Sequence, residues 1–178
     1  MKPRKALFLD LFGTLVEDHG VLDKVSSLVF KPGALDALSR FAGKRYLLFI
    51  SVCHDTMPEP DWEYVENLQS YILDQLGTYK IGADDVHYLN YTKQGKIRKL
   101  SRESLLAFAK EFNLDLTRSV VIGDLMKDVK TGQQVGAKTV LLSSSVDSPL
   151  FEDVEWIEPD VIVEDLAEAA DVLLGHAH

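Results

Sequence analysis

Lys5-Ala6-Leu7-Phe8-Leu9-Asp10-Leu11-Phe12-Gly13-Thr14 is an apolar run that ends in a carboxylate, followed by a Gly-Thr turn. The run has no polar alternation, the pattern of a strand buried on both faces in a parallel sheet. Three segments repeat it: Tyr46 to Ile50 before Ser51, Ser119 to Ile122 before Gly123-Asp124, and Thr139 to Leu142 before a run of serines. Between them lie helical periods, carried by Leu35, Leu38 and Ala42, by Val65, Leu68, Ile72 and Leu76, and by Leu105, Phe108, Ala109 and Phe112. Strands alternating with helices predict right-handed crossovers and an α/β fold, a three-layer α/β/α sandwich around a parallel sheet. Val161-Ile162-Val163 and an amphipathic helix from Glu164 to Leu174 are expected to finish the sheet, with 143–160 as a surface excursion. Ligands of such sheets bind beyond the strand carboxyl ends. Asp10, Ser51 and Asp124 each close an apolar run, so the fold gathers them on one rim.

The 178 residues, 46% of them hydrophobic, suffice for one well-buried domain spanning residues 1–178. A net charge of −9 argues against nucleic acid as partner, because binding a phosphate backbone needs a basic face. Met1 is followed by basic Lys2, Arg4 and Lys5, and the apolar run after them is broken early by Asp10, which does not read as a signal peptide. No stretch reaches membrane-spanning length, so no membrane partner is expected. A single cysteine, Cys53, rules out an internal disulfide and fits a reducing cytoplasm.

Taken alone, Asp10 before Gly13-Thr14 reads first as a plain cap or turn residue and only second as a catalytic group. Gly123-Asp124-Leu125-Met126-Lys127-Asp128 adds two carboxylates at a strand tip, expected one turn apart on one helical face. Carboxylates so close repel unless a cation lies between them, and with Asp10 they make an all-oxygen site suited to Mg²⁺. The bland alternative makes Asp124 a helix cap and Asp128 a solvated side chain. Ser51 offers a hydroxyl and neighbouring N–H groups to a phosphate, or is an ordinary cap. Lys99 precedes the third helical period, where it would neutralise a nucleophile and phosphoryl group or would simply be solvated.

The order of these elements (Asp, Ser, Lys, then Gly-Asp-x-x-x-Asp) resembles the four motifs of the haloacid dehalogenase-like hydrolase superfamily over roughly residues 5 to 143. Phe8-Leu9-Asp10, the stretch from Gly13 to Gly20, Lys31-Pro32-Gly33-Ala34-Leu35 and Arg98-Lys99 are similar to the small capless phosphatases acting on heptose bisphosphate and histidinol phosphate. The resemblance implies a Rossmann-like fold without a cap domain, a bound Mg²⁺ and a phosphoaspartyl intermediate. On it, Asp10 is nucleophile and metal ligand, and Ser51 and Lys99 hold the phosphate. Asp124 and the backbone carbonyl of Phe12 ligate the metal, and Asp128 is a further ligand or a carboxylate beside the ligands.

Phosphatases of this superfamily carry an acid/base aspartate two residues after the nucleophile, where this chain has Phe12. The second motif, Ser51-Val52-Cys53, also departs from the relatives' pattern, and residues 87 to 96 contain no cysteine, so no structural zinc is expected. His54, His19 and Glu17 are the groups available to carry a proton in place of an aspartate. The expected function is a Mg²⁺-dependent hydrolase of a small phosphorylated metabolite. The alternatives are a non-catalytic or regulatory descendant binding metal and phosphate, and a dehalogenase-like hydrolase, a branch in which the residue at Phe12 is aromatic but which carries a cap for which 13–31 is too short. Specificity would come from loops 15–31 and 53–61, and an open rim leaves room for a second copy of the chain to close it.

Overall fold

The computed structural model describes residues 2–20, 24–52, 61–89, 100–143 and 155–176. Six strands form one wholly parallel sheet: β1 (Lys5–Asp10), β2 (Tyr46–Ser51), β3 (Val86–Leu89), β4 (Val120–Gly123), β5 (Lys138–Leu142) and β6 (Val161–Val163). Their spatial order is β3-β2-β1-β4-β5-β6. Among the described residues, five α-helices connect or follow them: α1 (Ala34–Gly43), α2 (Trp62–Thr78), α3 (Arg102–Glu111), α4 (Met126–Gln134) and α5 (Leu166–Leu174). This is the expected Rossmann-like α/β architecture, with β3 as the strand that the periodicity did not reveal.

Alternation along each strand sorts the core into two layers. Leu7, Leu9, Leu48, Ile50 and Ile122 turn to the face covered by α1, α2 and α5, and all are fully or almost fully buried. Phe8, Phe49 and Val121 turn to the opposite face, where α3 contributes Leu105 and Phe108, while Met126 and Val129 of α4 pack on Leu141. Burying one such side chain contributes roughly 1.5–3 kcal/mol, so the sheet is held by its two apolar faces as much as by its ladder.

The strand order reverses between β1 and β4, because β1 runs on to β2 and β3 on one side and the chain returns to its other side with β4. The connections leaving β1 and β4 therefore diverge, which opens a crevice beyond their carboxyl ends. Asp10 and Gly123-Asp124 stand at the mouth of that crevice.

Candidate active site

The register fixes the first pair of residues. Asp10 lies directly beside Ser51 across the β1–β2 ladder, two positions beyond the partners Phe8 and Phe49. Those two rings pack at 4.9 Å on the α3 face, so the strand period of two sends Asp10 and Ser51 to that same face. Ser51 is buried, and Asp10 is half-buried at the edge of the crevice. Lys99, which leads toward α3, lies outside the described residues, as does His54.

Beyond Asp10 the chain makes a tight turn. Leu15 and Val16 both donate to the carbonyl of Leu11, at 2.9 Å each, and the N–H of Gly13 bonds the Val16 carbonyl at 2.9 Å. Gly13 has φ +80°, and a Cβ there would stand 2.2 Å from Asp124 Oδ2. Only glycine gives both the left-handed backbone and the space that the Asp124 carboxylate fills. The chain leaving the turn pairs with 29–31, since Glu17 donates to the Val29 carbonyl and Lys31 to that of Leu15. This pairing brings the Lys31 ammonium onto the Gly13 carbonyl. Lys31 was part of a motif fragment in the sequence but carried no site signal of its own, because its position depends on this non-local pairing.

Asp124 and Asp128 do not share a helical face as expected. Leu125 is extended (φ −124°, ψ 149°) and caps α4, so Asp124 lies outside the helix against Gly13, whereas Asp128 sits in the first turn. The break has a local cause: Asp128 Oδ2 accepts the Leu125 N–H at 3.3 Å, a carboxylate satisfying a helix N-terminal donor. The Asp128 carboxylate packs on Gly123, where a Cβ would stand 2.1 Å from its Oδ2. It is only 2% exposed, so it is not the solvated side chain of the bland alternative, nor is Asp124 the helix cap.

The electrostatics bind these carboxylates into one cluster. Burial pushes the Asp128 carboxyl well above its ordinary value of 3.8, and the nearby charges of Asp10 and Asp124 push in the same direction. Burial also raises Asp124, against the pull of its own backbone hydrogen bond and of Lys31 and Lys127. Asp124 Oδ1 is buried with no hydrogen-bond partner among the described residues. A buried, unpartnered carboxylate oxygen beside two more acids costs free energy that a cation would recover. Among the described residues no three His, Cys, Asp or Glu side chains converge as a cage. The donor set thus fits an ion that completes its shell with a carbonyl and waters, which is the habit of Mg²⁺.

Phe12 is 6% exposed and its ring belongs to the apolar layer that also holds Val16 and Leu28. Its side chain is thus a core element, while its backbone lies in the turn. On the same loop, His19 Nε2 pairs with Glu17 at 2.8 Å in an exposed position, and Asp18 is close enough to raise the proton affinity of Asp124.

A family model described as HAD-hydrolase-like matches residues 96–169. The D-glycero-beta-D-manno-heptose-1,7-bisphosphate 7-phosphatase of Pasteurella multocida is 26% identical over 97% of this chain and 98% of its own length. The corresponding D-glycero-D-manno-heptose-1,7-bisphosphate 7-phosphatase of Chlorobaculum tepidum is 28% identical over 95% of this chain and 94% of its own. Among solved structures, the D,D-heptose 1,7-bisphosphate phosphatase from B. bronchiseptica, complexed with magnesium and phosphate, superposes with a TM-score of 0.78 at 19% identity. That likeness covers 97% of this chain and 99% of the other. By sequence and by fold the chain is similar to haloacid dehalogenase-like hydrolases.

The chain has an aspartate at the end of the first strand, a Gly-Asp-x-x-x-Asp run starting at the end of the fourth, and Phe12 two residues after the first aspartate. No helix among the described residues is long and apolar enough to cross a membrane. The described part of the predicted specificity loop 15–31 folds down onto the sheet, since Leu15, Val16 and Leu28 are buried.

Proposed function

We propose that this hydrolase is a Mg²⁺-dependent phosphatase acting on a small phosphorylated metabolite of the sugar-phosphate class. The reading is supported by Asp124 Oδ1, buried without a hydrogen-bond partner among the described residues and close to Asp10 and Asp128 at the β1/β4 crevice, and by relatives whose names are heptose bisphosphate phosphatases. Asp10 attacks phosphorus through a carboxylate oxygen, the bond from phosphorus to the leaving oxygen breaks, and an aspartyl-phosphate forms. Water then attacks that phosphorus, releasing inorganic phosphate and regenerating Asp10. The Ser51 hydroxyl and Lys99 hold the phosphoryl oxygens. Asp10, Asp124 and the Phe12 carbonyl hold Mg²⁺, with Asp128 beside them, and the bound ion supplies charge neutralisation for the approach of two anions.

Phe12 offers no proton to the leaving oxygen, and its ring lies in the core. General acid/base assistance contributes roughly 10²- to 10⁴-fold, so turnover of an ordinary alcohol leaving group is slow unless solvent or His19 at the rim supplies the proton. An activated ester evades the deficit, because its leaving group departs without one. The test is release of para-nitrophenol from para-nitrophenyl phosphate. Mg²⁺-dependent turnover, abolished by EDTA and by Asp10→Asn, is expected, and no turnover by the wild-type chain would sink the reading in favour of a non-catalytic binder. A phosphorylated Asp10 detected by mass spectrometry, with its lifetime, separates slow breakdown from slow attack.

A further inference from the structure

The opposite end of the sheet carries a second charged feature. A cavity of about 620 Å³ opens at the amino ends of β1, β2, β3 and β4, and its walls include Lys2, Arg4, Lys5, Lys44, Arg45 and Arg118. Among the described residues, Asp85 is the one acid that lines it. The whole chain holds 28 acidic against 19 basic residues, so this convergence runs against the protein's overall sign. The six cations come from three parts of the chain: Lys2, Arg4 and Lys5 from the start of β1, Lys44 and Arg45 from the α1–β2 turn, and Arg118 from the turn before β4. Only the fold brings them together.

Five of these six cations are exposed, and Lys5 alone is drawn in beneath them. Lys5 is half-buried with its ammonium 4.1 Å from the centre of the Tyr46 ring. Burial first, and then the charges of Arg118 and Lys44, lower its proton affinity. Arg4 is held by Asp85 at 2.9 Å, leaving the other cations of the wall without that acid. Arg45 is the left-handed residue (φ +64°) that ends α1, with its N–H on the Ala42 carbonyl, and this sharp exit is what sets Arg45 on the cavity wall. Like charges that converge on one cavity repel one another, and a bound anion would relieve that repulsion.

We propose that this cavity binds a small soluble polyanion carrying two or more phosphate groups, at a site separate from the acidic rim. The volume lies within the roughly 300–1,000 Å³ of small-molecule sites, and guanidinium groups grip phosphate oxygens in pairs. The acidic remainder of the surface repels any extended polyanion, such as nucleic acid or an anionic bilayer, whose charges would reach beyond the cavity. With β1 six residues long, the cavity stands roughly 20 Å from Asp10, too far for one small ligand to touch both ends.

The test is calorimetric titration of the full chain with inorganic tripolyphosphate in EDTA at low ionic strength, where the rim has no metal to attract phosphate. Saturable one-to-one binding is expected, weakened about tenfold or more in Lys44→Gln/Arg118→Gln and unchanged in Asp10→Asn. Thermal melts of the variants show that each remains folded. A parallel titration with ADP distinguishes nucleotide from inorganic polyphosphate as the preferred form, and binding of either supports the site. Absence of saturable binding to both, equal affinity in the double variant, or loss of binding in Asp10→Asn overturns it. So does binding confined to phosphatidylserine vesicles, which would make the face a membrane surface.

Discussion

One parallel sheet ends in acid and begins in base, and the two ends are built differently. At the carboxyl end, Asp124 and Asp128 are pressed against the backbone of Gly13 and Gly123, and Asp10 is fixed by ladder register beside Ser51. At the amino end, the charges are carried on long side chains of which all but Lys5 are exposed. Short carboxylates seated on glycine have nowhere to move, whereas lysine and arginine stems adapt. Point changes at the carboxyl end should therefore have large and localised effects, and changes at the amino end should be graded and additive.

Phe12→Asp gives the largest expected effect. Replacing a ring in the core costs roughly 3–5 kcal/mol of stability, so the melting temperature falls. If the carboxylate turns from that layer to the rim, it restores a proton carrier, and turnover per folded molecule rises by about 10²- to 10⁴-fold for an unactivated sugar phosphate. Normalising the rate to the folded fraction, measured by circular dichroism, keeps the two consequences apart. A stable variant with no gain in rate would show that more than the proton is missing, and the altered Ser51-Val52-Cys53 segment would be the next suspect.

Gly13→Ala follows. Its Cβ meets Asp124 Oδ2 at 2.2 Å while the backbone must hold φ +80°, so either the turn or Asp124 moves. A displacement near 1 Å at a reacting centre costs about 10²-fold in rate, and Mg²⁺ affinity measured by calorimetry should fall with it. Tripolyphosphate binding at the amino end should not change. Joint loss at both ends would mean general unfolding rather than a local effect.

The contrast between the ends also explains what the sequence made legible. Asp10, Ser51 and Asp124 stood out because each closes an apolar run, and the strand period then carried them to one rim. The helix period misled at Asp124, because Asp128 bonds back to Leu125 and starts the helix two residues later. β3 escaped notice because it is a four-residue edge strand in which His87 and Tyr88 interrupt Val86 and Leu89, leaving no apolar run. Lys31 and the basic cavity were invisible for a common reason: both depend on joining segments far apart in the chain, and their charges are interspersed with acids along it.

Asp128 offers a pH-dependent test of the acidic end. Its folded-state proton affinity is raised, so the folded protein holds the proton more tightly than the unfolded chain does. That contribution to stability is present below the ordinary value of 3.8 and is lost as pH rises through the elevated one. In EDTA, Asp128→Asn should therefore melt higher than wild type at pH 7, by about 3 °C per kcal/mol relieved, with the gap closing toward pH 4. Asparagine keeps an oxygen for the Leu125 N–H, so the helix start survives. Added Mg²⁺ should stabilise wild type more at pH 7 than at pH 5, since the ion favours the ionised cluster. Parallel pH profiles for the two proteins would remove Asp128 from the cluster.

Lys31 is where the two charge signs meet at the acidic end, and Lys31→Met has the smallest expected effect. Its ammonium lies on the Gly13 carbonyl and draws the Asp124 proton affinity downward, so it is a fixed positive charge beside the carboxylates that Mg²⁺ would join. Two roles follow, and they oppose each other in sign. As a charge, Lys31 repels the incoming ion, and removing it should tighten Mg²⁺ binding by about fivefold, equivalent to roughly 1 kcal/mol for a screened, half-buried cation. As an anchor of the turn, it helps hold the Phe12 and Gly13 backbone in place, and removing it should loosen binding instead. The turn already has its own hydrogen bonds from Gly13, Leu15 and Val16, so the charge effect should dominate and Lys31→Met should bind Mg²⁺ more tightly. Calorimetry with Lys31→Arg as control decides the sign: weaker binding in Lys31→Met with near-normal binding in Lys31→Arg would show that the turn, unlike the carboxylates seated on glycine, owes its geometry to a long side chain.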